Sequence, residues 1–180
     1  MASSLEKLEA SHGVTIQWHA YELRPKGSPP LPPEYRERIL AGRPRLYATA
    51  RENYGLELNQ GPFGIDSRPA LIGAKYAEQQ GVGPAYHAAV MRAYWLEAKS
   101  IEELDLLADV AVSIGLPRAA FLAALTDPTL EQAVLEDIAW AQTNGLNGVP
   151  ALVFQQKYLV SGAQPYDVLT RLVEQVRAEG

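Results

Sequence analysis

Hydrophobic positions at the start of the chain recur with helical spacing and then switch to alternation. In SLEKLEASHG, Leu5 and Leu8 lie about one helical turn apart, and Gly13 follows as a terminator. In VTIQWHAY, Val14, Ile16, Trp18 and Ala20 share one face, which predicts a strand. RPKGSPPLPP is a proline-rich loop, too short to be a domain linker. From Pro33 to about Tyr54 a helical stretch carries Ile39, Leu46 and Tyr47, and Gly42 and Pro44 are expected to bend or break it. NQGPFGIDS is a second loop, where Asp66 or Ser67 can cap the next helix and Pro69 sits in its first turn.

Residues from about 67 to 126 read as wholly helical. ALIGAKYAEQQG ends at Gly81, and PAYHAAVMRAYWLEAK follows. SIEE, from Ser100 to Glu103, has the form of a capping box and predicts a helix ending at Gly115, after which Pro117 starts another. TDPTLEQAVLEDIAWAQTNG begins with Asp127 as its cap. Its Leu130, Val134, Ile138 and Ala141 form a stripe that ends at Asn144 and Gly145.

Two short apolar runs, ALVF and KYLV, then predict an antiparallel hairpin across Gln155 and Gln156. Gln-Gln fits a primed turn poorly, so a loop wider than two residues is expected. The last segment, QPYDVLTRLVEQVRAEG, is a helix with Val168, Leu169, Leu172, Val173 and Val176 facing inward. The order is helix, strand, long helical block, strand, strand, helix, which is α/β with an insertion.

The 180 residues are 47% hydrophobic and 21% charged, which suits one globular domain or a core with an inserted subdomain. A net charge of -5 and a pI near 5.2 argue against a nucleic-acid partner. No apolar run approaches the roughly 20 residues that span a bilayer, so no membrane partner is expected. The opening MASSLEKLEASHG lacks a signal-peptide apolar segment, and a cytoplasmic location is the expectation. The chain has no cysteine, hence no disulfide, thiolate nucleophile or cysteine metal site. Its three histidines, His12, His19 and His87, lack paired metal-ligand spacing and read as surface or satisfied structural residues. No metal or cofactor is expected.

GxSxG, GxxxxGK[ST] and GxGxxG are all absent, which removes the main supports for hydrolase, P-loop and Rossmann readings. EELD and LEDIAW read as solvated acidic helix faces. PRLYATARENYG, with Arg43, Arg45, Arg51, Tyr47 and Tyr54, reads as a packed helix with a basic exposed side. Trp18, Trp95 and Trp140 are candidates for the core. WLEAK with Tyr94 and Met91 fits equally an apolar substrate groove, and the sequence does not rank the two. Ser3 and Ser4 read as helix-start residues, since a serine hydroxyl without a base is not a nucleophile at neutral pH.

GLNGVPALVFQQKYLVSG places a proline where an apolar strand begins. Proline pushes Val149 to extended geometry, and a cis Val149–Pro150 bond is expected, with Asn147 and Gly148 supplying the tight turn. This loop, the hairpin and the closing helix match the C-terminal half of a thioredoxin fold. GVPALVF, YLVSGAQP and DSRPALIGAKYAEQQG…YHAAVMRAYWLEAKSI together resemble the DsbA family of thiol–disulfide oxidoreductases, in its FrnE-like branch, from Leu5 to about Val176. The resemblance implies a thioredoxin-like (DsbA-type) α/β fold with an all-helical insertion. Residues 1–60 would form the N-terminal part of the thioredoxin-like domain, 61–128 the insertion, and 129–180 the C-terminal part with the cis-proline loop. It implies substrate binding by Gly148, Val149 and Pro150, with Arg68 facing the cleft. A protein or small thiol is the implied partner.

In that family a Cys-x-x-Cys pair lies where the first strand meets the first helix. Here MASSLEKLEA enters the helix at once, and Met1 falls about where the family carries an apolar residue after the second cysteine. The first strand and the dithiol are therefore expected upstream of Met1, in a reading frame that starts earlier, the alternative being a short paralogue without them. A sheet lacking its central strand would expose two edges, so a homodimer is an expected assembly. Two alternatives remain. Glutathione-dependent kappa-class transferases and 2-hydroxychromene-2-carboxylate isomerases are similar in fold, insertion and cis-proline. A redox-inactive module holding extended peptides on the Val149–Pro150 surface is the other, and YLVSGAQP favours the DsbA resemblance over the transferase and isomerase reading.

Overall fold

A computed structural model describes residues 2–25 and 27–179, with side chains from Ser4 onward. The expectations placed on Met1 and on the Ser3 hydroxyl lie outside the described residues. Eight helices and two strands form among the described residues: α1 Ala2–His12, α2 Pro33–Tyr54, α3 Arg68–Gln79, α4 Gly83–Trp95, α5 Leu104–Ser113, α6 Arg118–Ala124, α7 Pro128–Thr143, β1 Ala151–Phe154, β2 Tyr158–Ser161 and α8 Tyr166–Ala178. Their backbone divides into two units, residues 1–23 with 137–180, and residues 24–136. None of these helices is long and apolar enough to cross a membrane.

Local chemistry accounts for most helix boundaries. Gly13, at φ 58, ends α1 in the left-handed region that glycine adopts without a Cβ penalty. Asp66 Oδ1 accepts the Arg68 N–H at 3.0 Å, and Asp127 Oδ1 accepts the Thr129 N–H at 2.8 Å, so α3 and α7 start on carboxylate caps. The SIEE box is not made. Residues around Ser100 form a turn, the Glu103 N–H donates to the Ser100 carbonyl at 3.2 Å, and α5 starts only at Leu104. Glu102 accepts the Asp66 N–H, and the buried Ser100 Oγ has no partner among the described residues. Helix α2 runs unbroken through Pro44, although proline leaves the Leu40 carbonyl without its usual donor.

In the unit of residues 1–23 and 137–180, Leu5 and Leu8 of α1 pack with Leu169 and Val173 of α8. Val14, Ile16, Trp18, Leu152 and Phe154 lie against that cluster. Burial along Val14–Ala20 alternates as the sequence predicts, even positions inward and odd positions exposed. Yet this segment is not a strand, because no neighbour pairs with it among the described residues. Alternation requires only an extended backbone; a ladder also requires a second backbone about 4.8 Å away.

Among the described residues the sheet is therefore the β1–β2 hairpin, antiparallel with Ala151 opposite Ser161 and Phe154 opposite Tyr158. The Gly162 N–H donates to the Pro150 carbonyl at 2.8 Å in the same register. Antiparallel bonding alternates, so Leu152 and Phe154 exchange bonds with β2, while the N–H and C=O groups of Ala151 and Val153 point to the other edge. The hairpin loop is wider than two residues, as expected, and spans Gln155 to Lys157. Gln155 and Gln156 both take positive φ, 48 and 57, and the Lys157 N–H closes the turn on the Phe154 carbonyl.

In the unit of residues 24–136, the aromatic rings of Tyr86 and Phe121 meet with centroids 5.5 Å apart, and both are buried. Gly73 of α3 lies against them so closely that a Cβ would sit 2.4 Å from the Tyr86 hydroxyl and 2.7 Å from the Phe121 ring. Burial holds the Tyr86 phenol in its neutral form, raising its pKa far above the ordinary value. Trp95, which the sequence left open between core and groove wall, is 37% exposed and packs edge-on to Tyr94.

Two substitutions test this geometry. Gly73→Ala should lower the unfolding free energy by about 1–3 kcal/mol through overpacking. Gln156→Gly should raise it by about 1 kcal/mol, because glycine carries no left-handed penalty. Urea denaturation of both variants measures the two changes, which have opposite signs.

Candidate functional site

After α7 the chain turns through Gly145 at φ 70, and the Leu146 N–H closes the turn on the Ala141 carbonyl at 2.9 Å. Asn147 Nδ2 donates to the Gly145 carbonyl at 3.1 Å and stiffens the approach to Gly148. The Val149–Pro150 bond is cis. Val149 is 51% exposed, and nothing lies within 4 Å of where a Gly148 Cβ would be. Two cavities of the same unit border this loop. One, of about 750 Å³, is lined by the extended segment from Val14 to Tyr21 and by residues 148–156, with Leu5, Leu8, Val173 and Val176 beneath. The other, of about 340 Å³, lies against Leu159, Ser161 and Gly162.

Gly148, Val149 and Pro150 thus come together as one open loop. Arg68 belongs to the unit of residues 24–136, where its Nη1 lies 3.1 Å from Glu131.

The sequence reading missed one polar feature beside the loop. Asp137, within the LEDIAW stretch read as solvated, is only 9% exposed. Its Oδ2 accepts the Ala20 N–H at 2.7 Å, and its Oδ1 lies 2.7 Å from His19 Nδ1. The His19 ring also stacks on Trp140, with centroids 5.3 Å apart. A buried carboxylate that accepts a backbone N–H and holds a histidine does work that a ladder bond does elsewhere: it satisfies an extended chain. The signal was in the spacing. Leu130, Val134, Asp137 and Ala141 fall on one helical stripe, so Asp137 occupies a position that faces inward.

The DSBA-like thioredoxin domain matches residues 1–174 of the chain. The uncharacterized protein YwbO of Bacillus subtilis (strain 168) is 24% identical over 176 residues, covering 95% of this chain and 86% of that protein. Among solved structures, a 2-hydroxychromene-2-carboxylate isomerase is 25% identical with a TM-score of 0.78, covering 98% of this chain and 87% of its own. A probable DsbA oxidoreductase from Streptomyces coelicolor is 26% identical with a TM-score of 0.71, covering 98% of this chain and 68% of its own. The described α/β fold is thus thioredoxin-like and of DsbA type, mostly helical, with two strands among the described residues.

Asp137→Ala should destabilise the chain by about 1–3 kcal/mol, since it leaves the buried Ala20 N–H without an acceptor. Asp137→Asn keeps a carbonyl oxygen for that N–H and should cost less. Equal urea midpoints for Asp137→Ala and the parent chain would refute the carboxylate's role.

Proposed function

We infer, from the premise that this chain belongs to the DSBA-like thioredoxin domain family, that its Gly148–Val149–Pro150 loop binds the thiol- or disulfide-bearing substrate of thiol–disulfide chemistry. The family fold is that of thiol–disulfide oxidoreductases, and these 180 residues contain no cysteine. Exchange needs an attacking thiolate and a disulfide whose S–S bond it breaks. The residues present supply neither sulfur. Their part is to bind and orient a substrate, a protein or a small thiol.

The observation that carries this reading is the exposure of Val149, 51%, on a loop with cavities on both sides. An apolar side chain held in the open beside unfilled space is a ready contact for a ligand. Backbone groups of Gly148 and Val149 would give the substrate its hydrogen bonds. A second reading draws on the 25% identity to a 2-hydroxychromene-2-carboxylate isomerase. In it the same loop borders a glutathione-assisted isomerisation of a small aromatic acid.

Titration of the labelled protein with glutathione, glutathione disulfide and a short cysteine peptide tests the first reading. Amide shifts should centre on Gly148, Val149 and Ala151, and Val149→Lys should weaken binding about tenfold, as loss of a central apolar contact does. Val112→Lys, at an exposed valine of the other unit, should have no effect. Shifts centred elsewhere would overturn the assignment. Insulin reduction should stay at the uncatalysed rate, and turnover of 2-hydroxychromene-2-carboxylate in the presence of glutathione would favour the second reading.

A further inference from the structure

Asparagine precedes glycine twice in the segment between α7 and β1, at Asn144–Gly145 and at Asn147–Gly148. This pairing carries its own chemistry: with no Cβ on the glycine to block the approach, its nitrogen can attack the asparagine side-chain carbon. Whether it does so depends on how firmly the backbone is held, and the structure separates the two steps. At the first, the Asn144 N–H and Nδ2 both donate to the Trp140 carbonyl, at 3.0 and 2.8 Å, and the Gly145 N–H donates to the Gln142 carbonyl at 3.1 Å. That step is locked into the end of α7. At the second, Asn147 is exposed and lies outside helix and strand. One bond, from Asn147 Nδ2 to the Gly145 carbonyl, holds its side chain, and the Gly148 N–H makes no hydrogen bond among the described residues. Open space lies where a Gly148 Cβ would be.

We propose that Asn147–Gly148 is a self-modification site whose chemistry rewrites the loop carrying Val149. The Gly148 nitrogen gives its proton to water or hydroxide and bonds to Asn147 Cγ. The Cγ–Nδ2 bond breaks, and Nδ2 takes up a proton and leaves as ammonia. The product is a cyclic succinimide. Water then opens the ring at one of its two carbonyls. Attack at Cγ restores the ordinary peptide and leaves aspartate, whereas attack at the Asn147 backbone carbonyl leaves isoaspartate. Water is the only reagent consumed. Either product sets a carboxylate beside Gly148 and removes the Nδ2 tie to Gly145. Isoaspartate also carries the main chain through the side-chain carbon, which lengthens it directly ahead of Val149. The reaction goes beyond the substrate role proposed for this loop and does not depend on what the loop binds.

The test incubates the folded chain in mildly alkaline buffer and follows both asparagines by peptide mapping. Asn147 should convert about tenfold faster than Asn144 or more, and the difference should vanish in urea, where neither backbone is held. Isoaspartate at position 147 should accept a methyl group from labelled S-adenosylmethionine in the presence of a protein isoaspartate methyltransferase. Amide shifts on conversion should centre on Gly148, Val149 and Ala151. Gly148→Ala, which the open space accommodates, should slow conversion at Asn147 about tenfold and leave Asn144 unchanged, because a Cβ crowds the attacking nitrogen. Asn147→Gln should abolish it, since the longer side chain closes only to a larger, less favoured ring. The comparison of folded and urea-treated parent chain carries the test if a variant does not fold. Equal rates at the two asparagines in the folded chain, conversion of Asn147 only in urea, or conversion that leaves those amides unmoved would overturn the proposal.

Discussion

An extended backbone must place its N–H and C=O groups, and in the unit of residues 1–23 and 137–180 that requirement shapes everything around it. Only Leu152 and Phe154 of β1 exchange ladder bonds with β2. The Val14–Ala20 segment has no such neighbour among the described residues, and its N–H groups at Ile16 and Ala20 go to the carboxylates of Glu9 and Asp137. Side-chain carboxylates thus satisfy two backbone donors of this segment. The Asp137 tie matters most, because it is buried and fixes Ala20 and His19 together at the end of the segment.

That arrangement explains what could be read in advance. The inward face of Val14, Ile16 and Trp18 was legible because alternation belongs to the segment itself. Whether the segment pairs was not legible, because pairing depends on a second chain segment. The capping box at Ser100 failed for a different reason. The Glu103 N–H goes to the Ser100 carbonyl in a tight turn, so the helix starts too late for Ser100 to cap it. Caps at Asp66 and Asp127 survived because their acceptors act within two residues. The Gly148–Pro150 loop was found from Val-Pro at a strand start, whereas Asp137 was passed over by reading its acidic neighbours rather than its place in the stripe.

The chemistry of the loop follows from what surrounds it. Gly148 leaves open space, Val149 offers an apolar side chain to solvent, and Pro150 spends its carbonyl on the Gly162 N–H. The loop is anchored on its β2 side and open on its other faces. The substrate contact proposed for this surface rests on that openness, and the 180 residues hold no cysteine to place a thiolate beside it.

The close fit of Gly73 against Tyr86 and Phe121 has a consequence for how this helical unit can drift in evolution. The three positions share one volume, so none can change freely while the others stay. A side chain at Gly73 becomes tolerable only after one aromatic ring has shrunk, and a smaller ring at Phe121 leaves a void until something on α3 grows into it. Accepted changes here must arrive in pairs and in a definite order. Descendants of this sequence are therefore expected to keep all three residues or to exchange Gly73 together with one of the rings, and a lone exchange among them marks a lineage caught between two packings.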